Sequence, residues 1–149
     1  MPVAKTSVLS NINPAASWVP VLRNRVSVRL PGFRNDGEFA MIEIEAIPGA
    51  GFPRHMHQRE DEIFIVLQGT ATFDLGRDSF DAGPGSVTVL PRLVPHAWWN
   101  YSCDPLRMSV IIRPAGLETL FTDHRMPGIG LDDLKTLLRV DHGIIMLSV

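Results

Sequence analysis

The stretch GAGFPRHMHQREDEIFIVLQG, Gly49 to Gly69, decides the reading of this chain. It places His55, His57 and Glu62 just ahead of a strongly apolar run, and His96 follows in a second stretch, GSVTVLPRLVPHAWWN, Gly85 to Asn100. Three imidazoles and a carboxylate make a suitable donor set for a divalent transition metal. In an extended strand the side chains at i and i+2 share a face, so His55 and His57 point the same way. Glu62 lies at an odd offset from His57. The polar segment Gln58–Asp61 can turn the chain, letting Glu62 open the next strand and face back inward. His96 has to arrive from a separate strand.

Outward from this stretch, Gly and Pro cut the chain into short apolar or alternating runs. These are Arg25–Leu30, Phe39–Ile47, Glu62–Gln68, Ala71–Leu75, Ser86–Leu90, Ala97–Tyr101 and Arg107–Ile112. Short strands with frequent turns and no helical pattern between them predict an all-β sandwich or barrel. No connection has room for a crossover helix, which disfavours a parallel β-α-β sheet. Gly49, Gly69 and Gly85 fall at strand ends, where tight turns call for positive φ.

The two ends read differently. Residues 1–23 carry Pro2, Pro14 and Pro20 and are expected to run as an extended arm anchored by Trp18. Residues 24–113 are expected to form the barrel, and residues 114–149 a helical tail. Leu117, Leu120 and Phe121 suggest a short helix. Asp132 and Asp133 ahead of Leu134, Leu137 and Leu138 suggest a second, with acids in its first turn.

Composition narrows the function classes. The chain has 149 residues, a single-domain length that buries about 68–70% of the surface exposed by the unfolded chain. A formal charge of −2, with neither sign clustered, argues against nucleic-acid or membrane binding. Cys103 is the single cysteine, so a reducing, cytoplasmic setting is expected. The first residues lack the apolar segment of a signal peptide, and no stretch is apolar enough to span a bilayer.

Both quoted stretches resemble the two motifs of the cupin superfamily. Gly49, His55, His57, Glu62 and Gly69 fit every position of the first motif, G-x5-H-x-H-x3,4-E-x6-G. Gly85, Pro91, His96 and Asn100 fit the second, G-x5-P-x-G-x2-H-x3-N, with Leu93 standing where that motif has glycine. The resemblance implies a double-stranded β-helix jelly-roll barrel with short C-terminal helices and a metal held inside by His55, His57, Glu62 and His96. Iron is the first expectation, with manganese, nickel, zinc and copper also compatible. Glu62 is read as a ligand or as the catalytic base beside the metal. The segments Arg113–Glu118 and Asp141–Ile144 resemble parts of quercetinase-like single-domain cupins. Relatives commonly pair, so a homodimer is expected.

Parity extends the site. Phe64 and Val66 share the face of Glu62, while Trp98 and Asn100 share that of His96, so Phe64, Trp98 and Asn100 are candidate pocket residues for a small-molecule substrate. Val66 is equally consistent with plain core packing. Trp98 is the best placed to meet a planar ligand. Ile63, Ile65, Leu67 and Trp99 should face away, toward sheet or subunit packing. Glu60 and Asp61 fit a solvated turn, and His124 and His142 fit structural or capping roles. Three functions are compatible with such a site: an O2-using dioxygenase, which leads; a redox-neutral lyase, cyclase or isomerase; and a non-enzymatic small-ligand binder.

Overall fold

The computed structural model describes residues 17–147, so most of the expected N-terminal arm lies outside the described residues. In chain order the strands are β1 (Val19–Val21), β2 (Asn24–Leu30), β3 (Ala40–Ala46), β4 (Gly51–His57) and β5 (Asp61–Gln68). There follow β6 (Ala71–Leu75), β7 (Asp78–Ala82), β8 (Val87–Leu90), β9 (His96–Trp99), β10 (Leu106–Arg113) and β11 (Ile144–Met146). They build two antiparallel sheets. One runs in the order β1-β2-β3-β10-β5-β8, the other β11-β4-β9-β6-β7. This is the all-β jelly roll that the sequence predicts.

Alternation explains the layering. In β5 the side chains of Glu62, Phe64 and Val66 are buried between the sheets while Ile63 and Ile65 are half-buried on the outer face. In β10 Met108, Val110 and Ile112 are buried in the same way. Each such apolar side chain contributes about 1.5–3 kcal/mol on leaving water. The outer face of β8 keeps Val87 and Val89 exposed.

All seven expected strand segments are present, with ends shifted by a residue or two. Of the other four, β4 is the strand read from His55 and His57, while β1, β7 and β11 carry no such signal. β1 pairs with β2 through a turn whose central residues, Leu22 and Arg23, both take positive φ. That is the backbone of a tight hairpin, but without the Asn-Gly or Asp-Gly pair that usually announces one. The expected arm is therefore already in the sheet by Val19. β7 is an edge strand with four of its five residues exposed, so it shows no apolar alternation.

The tail is not wholly helical. A 3-10 turn spans Leu117–Thr122 and α1 spans Leu131–His142. Leu134, Leu137 and Leu138 form the buried face of α1, and Gly143 ends it at φ 65°. The chain then returns as β11 and pairs with β4, placing Ile144 opposite His57 and Met146 opposite His55. Among the described residues no helix is long and apolar enough to cross a membrane.

Local backbone demands are visible at two places near the motifs. At Gly51 a Cβ would lie 2.3 Å from the Trp98 carbonyl oxygen and 2.5 Å from Trp99 Cε3, so only glycine lets β4 pack this closely on β9. Gly49, Gly69 and Gly85 do take positive φ, as expected. Leu93, which replaces a motif glycine, sits at φ 67° and donates its N–H to the His57 carbonyl at 2.8 Å. The turn is kept although the glycine is not. A leucine held there carries strain of about 1–2 kcal/mol, and its side chain, 59% exposed, offsets little of it. Leu93→Gly is expected to raise unfolding free energy by about 0.5–1 kcal/mol after the entropic penalty of glycine. Urea denaturation checks this, and a lower midpoint for the variant would count against the strain.

Candidate metal centre

Each strand delivers its donor for a local reason. β4 supplies His55 and His57 on one face. β9 lies beside β4, with His96 paired directly to His55, and the two rings meet edge to face at 4.3 Å between centroids. The segment after His57 crosses to the other sheet, where β5 opens with Glu62 facing in. All four side chains are buried. One donor atom from each lies within 4.8 Å of every other, so the four could hold a metal ion.

Hydrogen bonds to the far ring nitrogens orient the imidazoles. His55 Nδ1 meets the Pro53 carbonyl at 2.8 Å, His96 Nδ1 meets the Val94 carbonyl at 3.2 Å, and His57 Nδ1 meets Glu60 Oε1 at 2.5 Å. Carbonyl and carboxylate oxygens only accept, so each Nδ1 carries a proton and each Nε2 is turned toward the common point. His96 Nε2 is buried with no hydrogen-bond partner, and Glu62 Oε1 lies 3.4 Å from it and 2.8 Å from His57 Nε2. An orphaned buried acceptor is costly, and a divalent cation at the focus these atoms share would satisfy it. The donor set and its orientation fit such an ion.

Charge reinforces this. Burial alone would pull the His57 imidazole down, but Glu62 and Glu60 push it up to about 10. Burial raises Glu62, yet His57, 2.8 Å away, and His96 hold its carboxyl well below the usual carboxylate range. Burial, with His96 and His57 adding to it, drives His55 well below its ordinary value. Without a cation, His57 is an imidazolium between two carboxylates, and a metal has to displace its Nε2 proton. With a divalent cation, Glu60 and Glu62 balance the charge.

Glu60 corrects the sequence reading. It is not part of a solvated turn but is buried, at 3% exposure, against His57. The sequence hint was its place three residues after a ligand histidine, which a polar turn masked. Asp61, by contrast, is half-buried and paired with exposed Arg92. His124 is exposed, and His142 is buried at the end of α1, away from the four donors in sequence and not among them.

Beside the donors lies a cavity of about 70 Å³ between the sheets and the tail. Phe64 and Trp98 line it, together with Phe52, Ile44, Leu120 and Leu138. Asn100 does not line it. Its amide donates to the carbonyls of Ala46 and Asp104 while its oxygen accepts from Ser102, so it clips the loop after β9. Parity placed Asn100 inward, but β9 ends at Trp99 and the loop takes it elsewhere. Trp99 faces away and stacks on Tyr101.

Because metal uptake expels a proton from His57, apparent Zn2+ affinity of the metal-free protein should climb between about pH 7 and 10, by up to about tenfold per unit. The sign for folding is opposite. A raised histidine pKa stabilises the metal-free fold fully below the unfolded value near 6.5, and this is lost as pH rises through about 10. Glu60→Ala should weaken metal binding by about 10–100-fold and flatten that pH dependence. Competition with a chromogenic chelator measures both, and a pH-independent wild-type affinity would contradict the ion-pair account.

The chain's likeness to known proteins agrees with this geometry. The cupin domain family matches residues 42–112, spanning β3 to β10. A putative germin-like protein 3-4 from Oryza sativa subsp. japonica is 28% identical, covering 92% of this chain and 63% of its own length. The chain spans only about 20% to 63% of the curated relatives it matches. A predicted oxalate decarboxylase from Thermotoga maritima superposes with TM-score 0.65 at 16% identity, over 70% of this chain and 99% of that one. Pac13, a nucleoside dehydratase, from Streptomyces, superposes with TM-score 0.61 at 14% identity, over 74% and 86%. These structures share the fold. With both motifs in place on a jelly roll, the chain belongs to the cupin superfamily.

Proposed function

We propose that the protein is a metal-dependent enzyme acting on a small organic molecule, and that it uses dioxygen. The observation that carries this reading is the cavity wall. Among the described residues that line it, the titratable ones are His55, His57 and Glu62, all candidate ligands themselves. General acid–base chemistry gains from a positioned side chain free to exchange a proton, and among the described residues lining the cavity no titratable group stands apart from the candidate ligands. Three histidines and one carboxylate would leave about two positions of an octahedral ion open. A bound transition metal would supply there a place for an oxygen atom of the substrate and for dioxygen.

The chain's own residues set the rest. Phe64 and Trp98 hold the organic part of the substrate and exclude water. Glu62 stays ionised at neutral pH, which makes it a weak base, suited to a substrate proton that is already acidic, such as an enolic or catecholic O–H. Glu60 holds His57 in place. The likeness in fold to a decarboxylase and a dehydratase favours a second reading, redox-neutral catalysis with the metal as Lewis acid.

Elemental analysis of protein purified without chelators comes first, beside His57→Ala and His96→Ala. Near-stoichiometric metal in the wild type and severe loss in both variants is expected, with Trp99→Ala unchanged. Full metal in His96→Ala would refute the ligand set. Oxygen-electrode assays with enolic and catecholic substrates then separate the readings: activity lost under argon supports the dioxygenase, and undiminished anaerobic turnover replaces it with the redox-neutral reading.

A further inference from the structure

We propose that Asn24 is a specificity residue of the cavity, and that the substrate is a compact, largely apolar molecule without a charged group at its far end, bearing an N–H or O–H that donates to Asn24 Oδ1. This rests on the cavity being the substrate site.

Asn24 opens β2, lines the cavity and is 5% exposed. Its Nδ2 donates to two backbone carbonyls, Gly51 at 2.8 Å and Leu22 at 3.2 Å. A carbonyl cannot donate, so the amide has one orientation, and both of its hydrogens are used. Oδ1 is thereby turned away from both carbonyls, and it is buried with no partner. A buried acceptor left unmet costs about 1–3 kcal/mol. The two carbonyls it serves explain why a donor is needed here. They do not explain an oxygen left unmet beside an apolar space.

The neighbouring wall sharpens the class of ligand. Val21, Val26, Ile44 and Phe52 share the cavity with Asn24, and its lining, among the described residues, contains no Lys or Arg. A phosphate or a second carboxylate would be buried there without a counter-charge, at a cost of several kcal/mol. Aromatic and aliphatic surface would be accepted. Asn24 is then the polar group, apart from the metal donors, that fixes which way round such a molecule lies. A site built to hydrogen-bond one donor rejects the analogue that lacks it, because its own polar atom stays unpaired.

Pyrrole and furan test this, since the two rings are nearly the same size and differ by one N–H donor. Isotope-labelled, zinc-loaded protein is titrated with each, and the side-chain amide signals of Asn24 are followed by NMR. Pyrrole is expected to bind about 3–10-fold more tightly than furan, as one net hydrogen bond allows, and to shift the Asn24 signals. In Asn24→Leu, an apolar replacement of similar size, the preference should vanish. The wild-type comparison stands alone if that variant does not fold. Equal affinities, or Asn24 signals that pyrrole leaves unmoved, would overturn the proposal and assign Oδ1 to a buried water. The same titration on metal-free protein separates the two readings. A donor preference that persists when zinc fails to load would remove the metal-site reading and leave Asn24 standing.

Discussion

Three imidazoles and two carboxylates buried in the interior of a small β-barrel form the constraint on which the rest of this structure depends. Isolated charges in such a place are costly by several kcal/mol each. Here Glu60 and Glu62 face His57 from either side, and the two remaining histidines are steered by backbone carbonyls. The arrangement closes electrically with one divalent cation. Without it a proton on His57 does part of the same work, which couples the metal to pH.

The scaffold around the cluster serves that constraint. Gly51 lets β4 approach β9 closely enough for His55 and His96 to be direct cross-strand neighbours. Leu93 ties the loop before His96 to the carbonyl of His57. β11 hydrogen-bonds along the strand that carries two of the donors, and Gln58 bonds the Gly143 carbonyl at the end of α1. The tail is thus part of the site. Its leucines close the cavity while its last strand stiffens the ligand-bearing one.

Much of the fold was legible in the sequence because burial on one side of a sheet imposes a period of two. Glu62, Phe64 and Val66 alternate with Ile63, Ile65 and Leu67, so their inward placement could be read directly. The elements that escaped lack that imprint. β7 is exposed on both faces, β11 is three residues long, and the β1–β2 turn is made by Leu22 and Arg23 rather than by the residues that favour positive φ. Asn100 shows the limit from the other side: parity is valid only while the strand lasts, and β9 stops one residue short of it.

By itself the sequence determined the all-β class and the inward face of the alternating strands, because these follow from spacing and strand geometry. The jelly roll was implied by the likeness of two motifs to those of the cupins, and His55, His57, Glu62 and His96 were marked as candidate donors by residue chemistry and by that likeness. Tertiary structure alone decided which polar groups lost their water and what they met instead. Glu60 looks like a solvated turn residue until β4 and β5 bring it against His57. Asn24 carries no signal in the sequence, and only the fold gives both its amide hydrogens to the Leu22 and Gly51 carbonyls and leaves its buried oxygen without a partner. Burial depends on contacts between segments far apart in the chain, even where the partner it leaves, as His57 for Glu60, is only three residues away.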